Sequence, residues 1–186
     1  MDMSETIAAD STQINAVDLA IPVTVTITGS SAGPDAKQPV NLEVAEFPGR
    51  VYRPCKSMRR LIVEAWGKDT KAYVGRQITL YNEKSVKFGS SNTGGIRIKA
   101  LTHIDQSFSS TQMESQRKYV TYTIEKLPDP ITAADADAIR DRITKADTLD
   151  ALESIAAELK ALNLGAHKKP LQTAWSERQT AIKAAS

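Results

Sequence analysis

The chain has 186 residues, 41% hydrophobic and 25% charged, with a formal net charge of +2; that is enough for a packed core in one ordinary domain, or in a domain with a small appendage. No stretch approaches the roughly 18 consecutive apolar residues of a membrane-spanning helix. The acidic start MDMSETIAADSTQ lacks the basic end and apolar run of a secretory signal, and a single cysteine, Cys55, excludes an intramolecular disulfide, so a cytoplasmic location is expected.

Residues 1–17 are polar, acidic and without periodicity, and read as a disordered lead. Val23 to Thr28 alternates apolar and polar, which predicts a half-buried strand. Gly29 to Asp35 reads as a loop, and Gln38 to Ala45 alternates again, so the two strands form a hairpin with a long connection. Met58, Leu61, Ile62, Ala65 and Trp66 recur at helical spacing over Cys55–Trp66, with Ser57 as N-cap and Gly67 as stop. Strands follow at Gln77–Tyr81, Val86–Phe88, Ile96–Leu101 and Tyr119–Ile124. Residues 89–95 form a glycine-rich turn, and residues 105–117 are polar and unpatterned, a mobile loop. Pro128-Asp129-Pro130 stops the sheet and stiffens a linker over 128–131. Beyond it, residues 132–186 read as three helices: one over 132–145, one capped by Thr148 and ended by Gly165, and one started by Pro170. The order β-β-α-β-β-β-β over residues 18–127 suits a small OB-like Greek-key barrel with one helix, followed by an all-α three-helix tail.

Charge divides unevenly. Residues 1–49 hold one lysine and seven carboxylates, residues 50–126 fifteen basic and six acidic residues, and residues 127–186 eight basic and nine acidic. Eight of the ten aromatics also fall in 50–126. Basic charge interleaved with aromatics suits a surface that follows phosphates and stacks bases. The plainer reading is a β-rich core that needs aromatics, with Lys and Arg as its solvated face.

The run Trp66-Gly67-Lys68-Asp69-Thr70-Lys71-Ala72-Tyr73-Val74-Gly75-Arg76-Gln77-Ile78-Thr79-Leu80-Tyr81 resembles a pattern in small proteins encoded by bacteriophages. Arg53-Pro54-Cys55-Lys56-Ser57-Met58-Arg59-Arg60 upstream, and Val86-Lys87-Phe88-Gly89 and Gly94-Gly95-Ile96-Arg97-Ile98 downstream, are similar to further elements of that family. The resemblance covers roughly residues 14–127. It implies an OB-like fold and a single-stranded DNA-binding or accessory role in recombination or replication. Leu171-x-x-Ala174-Trp175-x-x-Arg178 resembles helical segments at the C-termini of phage recombination proteins.

Chemistry for catalysis is sparse. Cys55, His103 and His167 lie far apart and fall short of a four-ligand zinc set. Cys55, beside Lys56 at a helix start, lacks a base other than His103 and reads as a packed small residue. Gly89–Gly95 lacks the Gly-Lys-Ser/Thr of a phosphate-gripping loop. Carboxylates in the basic segment do not cluster as metal-dependent nuclease chemistry requires. No cofactor or metal is expected, and the chain reads as a binding protein rather than an enzyme. Arg53, Lys56, Arg59, Arg60, Lys84, Lys87, Arg97 and Lys99 are the candidate phosphate contacts. Among Tyr52, Tyr73, Tyr81, Phe88 and Tyr122, the best stacking candidates are Tyr81 and Phe88, which sit among Lys84, Lys87 and Arg97; Trp66 reads as core. Single-stranded DNA is the expected partner, with the tail contacting a recombination or replication protein or assembling copies of the chain. The rival is a protein–protein module, an inhibitor or adaptor of a nuclease or recombinase, whose basic face docks an acidic protein surface.

Overall fold

Alternation sets the first strand. In β1 (Val23–Ala32), Val25 and Ile27 enter the core while Thr24 and Thr28 face outward. The computed structural model describes residues 11–86, 94–115 and 118–185. The chain divides between Leu127 and Pro128 into two compact units. No helix among the described residues is long and apolar enough to cross a membrane.

The first unit holds a seven-stranded mixed sheet built from β1, β2 (Val40–Val44), β3 (Val51–Tyr52), β4 (Gln77–Glu83), β5 (Gly95–Leu101), β6 (Phe108–Ser115) and β7 (Lys118–Lys126). Its order is β3-β2-β1-β4-β5-β7-β6. All neighbours are antiparallel except β5 and β7, which pair in parallel at Ala100↔Glu125 and Leu101↔Lys126. β1 is shared: Val23–Thr26 pairs with β4, and Ile27–Ala32 pairs with β2 past an irregularity at Ile27/Gly29. Among the described residues the sheet does not close into the expected OB-like barrel: β3 and β6 are its two ends and do not pair with each other.

Helix α1 (Lys56–Trp66) lies against β6 and reaches the β1–β2 connection. Met58, Leu61, Ile62 and Trp66 are buried on one face, each worth roughly 1.5–3 kcal/mol or more on burial. On one flank, Ser110 Oγ donates to Glu64 Oε2 (2.7 Å) and Gln112 Nε2 to the Ser57 carbonyl (3.3 Å). On the other, Arg59 donates to the carbonyls of Pro54 (2.9 Å) and Lys37 (3.3 Å). Trp66 Nε1 donates to the Thr102 carbonyl (2.8 Å), satisfying the indole inside the core, while Arg76 lies 5.4 Å over its ring.

Several expected boundaries shift. From Ser11 onward the expected lead is ordered: Ile14 is buried and its amide donates to the Val51 carbonyl, because an apolar residue with strand partners outweighs polar neighbours. Residues 1–10 lie outside the described residues. Gly29–Ala32 is strand, because β2 pairs with it. The N-cap of α1 is Cys55, not Ser57. The expected loop over 105–117 contains β6, whose Ser/Thr-rich sequence is strand through its pairing with β7. The expected strand at Val86–Phe88 lies outside the described residues beyond Val86, which is not in a strand.

The second unit has three α-helices, α2 (Ala133–Lys145), α3 (Leu149–Leu159) and α4 (Lys168–Ala185), with a short 3-10 turn at Gly165–His167 before the last. Thr132 and Asp135 form a capping box for α2, and Thr148 caps α3 through the Ala151 amide. Ile139, Ile143, Leu152, Ile155 and Leu171 form its core, closed by Trp175 Nε1 donating to the Leu152 carbonyl (3.1 Å). The expected linker belongs to this unit: Asn163 Nδ2 donates to the Pro128 carbonyl and the Ile131 amide to the Asn163 carbonyl. Helix α4 begins two residues before Pro170, which then occupies its first turn.

Candidate nucleic-acid interface

Two stretches of basic sequence separated by more than 30 residues meet at the start of α1. The cross-strand pair Tyr81↔Arg97 sits on adjacent strands β4 and β5. Arg97 donates to its neighbour's carbonyl at Ile96 (3.1 Å) and approaches Cys55 Sγ to 3.8 Å. The Ile98 amide points at Met58 Sδ, 3.3 Å away, which fixes β5 against the first turn of α1. That turn contains no acidic residue, and Cys55 makes no side-chain capping bond. Its N–H groups and the positive end of the helix dipole therefore favour an anion there.

The glycines make this approach possible. A Cβ on Gly95 would stand 2.9 Å from Val86 Cγ1 and 3.3 Å from the Arg97 guanidinium. Gly94 has φ +78°, and a Cβ there would stand 2.0 Å from Asn82 Oδ1. Only glycine lets the backbone enter β5 in this conformation.

The predicted cations fall into three groups. Lys56 and Arg60, one turn apart on the outer side of α1, and Lys84, after β4, are exposed and make no ion pair or side-chain hydrogen bond with the described residues. Arg97 is half-buried and lies among Tyr52, Tyr81 and Glu83. Lys99 stands near Glu125 at 3.9 Å, an exposed pair of little energetic weight. Arg53 and Arg59 are tied into the fold instead. Arg53 donates to Asn41, Gln13 and Thr12, and Arg59 to backbone carbonyls. Lys87 and Phe88 lie outside the described residues.

Aromatics sort the same way. Tyr52 (1% exposed) and Tyr73 (3% exposed) are core, not stacking surfaces, and so is Trp66. Tyr81 and Tyr122 are half-buried and close enough to interact, and burial raises the Tyr81 phenol above its ordinary range. Cys55 is exposed rather than packed, because the N-cap position places it outside the helix's apolar stripe. Tyr119, 67% exposed, lies opposite Met113 (55%) across the β6–β7 hairpin, and sequence reasoning had passed over it. The signal was present: Val120, Tyr122 and Ile124 set the inner face, so Tyr119 falls on the outer one.

Tyr52 is unusual. Its hydroxyl is buried with no hydrogen-bond partner among the described residues. Burial pushes the phenol far above its ordinary range, with Cys55 and Arg97 as its charged or polarisable neighbours. Among the described residues, no group of three or more His, Cys, Asp or Glu is placed to hold a metal ion. Compared with family models, curated proteins and solved structures, the chain matches none.

Proposed function

We propose that the β-domain binds single-stranded DNA without strong sequence preference, as a phage-type accessory protein of recombination or replication. The observation that carries this reading is Arg97, which pairs across the strands with Tyr81 and reaches Cys55 at the uncapped start of α1, where Lys56 and Arg60 are exposed and make no ion pair with the described residues. Backbone phosphates follow the cations and the helix terminus, and bases stack on Tyr81. Arg53 and Arg59 hold the β1–β2 region in place and contribute positive potential rather than contacts.

The strand pattern supports an OB-like version of this reading. With β2 and β3 set aside, the remaining strands run β1-β4-β5-β7-β6: a meander joined through one parallel pair to a hairpin. That order suits a partly open five-stranded Greek-key barrel, with α1 meeting the inner-face side chains Ser110 and Gln112 of β6.

Anisotropy of a labelled single strand of about 30 nucleotides, a few OB-fold site lengths, tests the site. Lys56→Glu with Arg97→Glu should abolish binding, and Tyr81→Ala should weaken it by about 1–3 kcal/mol. Full affinity in both variants would remove this face from the binding site. If the unmutated protein binds no oligonucleotide at low salt, the basic face serves an acidic protein surface instead.

A further inference from the structure

The two edges of the sheet are treated differently. β3 is two residues long, and its outer side is covered: the Ile14 amide donates to the Val51 carbonyl (2.9 Å) and the Val51 amide to the Thr12 carbonyl (3.0 Å). β6 is eight residues long, and its backbone bonds to no described element other than β7. Native proteins blunt such an edge with lysine, proline or a bulge. Phe108–Met113 contains none of these, and the irregularity in its pairing comes only after Met113.

Every residue of Phe108–Met113 is uncharged. On the outer face, Ser109 and Thr111 spend their hydroxyls on Thr123 (3.2 Å) and Thr121 (2.8 Å), beside the exposed pair Met113 and Tyr119. On the inner face, the Ser110 and Gln112 contacts to α1 hold the strand in place. The edge is therefore extended, fixed and free of charge before any partner arrives.

We infer that β6 pairs antiparallel with β6 of a second copy of this chain, so that two seven-stranded sheets join edge to edge. The uncharged stretch Phe108–Met113 offers no charge to select a foreign partner, whereas its own copy matches it in length and pattern. In a two-fold antiparallel pairing, directly opposed residues share a face only when the axis passes through a residue. An axis through Thr111 uses the regular stretch 109–113 and sets Ser109 against the partner's Met113. Outward main-chain groups of both strands are then satisfied, and no like charges oppose.

Sedimentation of the full chain from about 1 to about 100 μM tests this through mass action. The expected result is a shift from 20.2 kDa to the mass of two chains with rising concentration. Thr111→Lys and Thr111→Glu, which set like charges across the axis, should each stay at one chain, and mixing the two should restore the pair. In the unmutated protein, amide exchange within β6 should slow at least several-fold at the higher concentration, a readout independent of how the variants fold. A single-chain mass throughout, pairing unchanged by both charged variants, or β6 exchange that ignores concentration would each overturn the inference.

Discussion

Arg97 shows how much one side chain can organise. It crosses Gly95, reaches Cys55, and brings a charge from β5 to the start of α1. Its neighbour Gly94 makes a sharp prediction. Gly94→Ala forces an L-residue to φ +78° against Asn82, and should cost at least about 1–3 kcal/mol, read as a lower denaturation midpoint. Tyr52 makes the opposite one. Its hydroxyl is buried without a partner among the described residues, so Tyr52→Phe should leave stability unchanged or raise it, whereas deleting one partner of a buried hydrogen bond costs about 1–3 kcal/mol. The same residue governs alkaline behaviour. Burial raises the phenols of Tyr52, Tyr73 and Tyr81, so below about pH 10 they are neutral in both folded and unfolded chains. Above it the unfolded phenols ionise first, and stability falls as pH rises. A pH series of unfolding midpoints should show this loss, and Tyr52→Phe should make it shallower.

At the scale of elements, legibility followed periodicity. The stripe Met58, Leu61, Ile62, Trp66 identified α1, and alternation identified β1, β4, β5 and β7, because burial on one face imposes a period on the residues themselves. β6 was illegible because, beyond Phe108, its inner face is Ser110 and Gln112, which meet polar groups of α1 instead of apolar core. β3 was illegible because two residues carry no period. Of the site, the cations were legible as composition, but not their division into free side chains and the fold-bound Arg53 and Arg59, which depends on distant partners such as Asn41 and Lys37. Thr148 was legible as a cap, and it predicts a local effect. Thr148→Ala should lower the stability of the helical unit by about 0.5–2 kcal/mol. Amide exchange over Leu149–Leu159, whose protection should fall, checks it.

At the scale of the molecule, net charge conceals the division of labour. The whole chain carries only +2, yet residues 50–126, which supply α1 and strands β3 to β7, hold fifteen of its 24 Lys and Arg residues. A surface meant for phosphates binds through counterion release, so its affinity must depend on salt. The most direct test is a titration of a fluorescent single-stranded oligonucleotide with the full chain at several salt concentrations, with duplex as competitor. The account predicts binding that weakens linearly in log–log form with a slope of about −0.7 per phosphate engaged, and that duplex displaces poorly. No binding at low salt, or binding indifferent to salt, would contradict it.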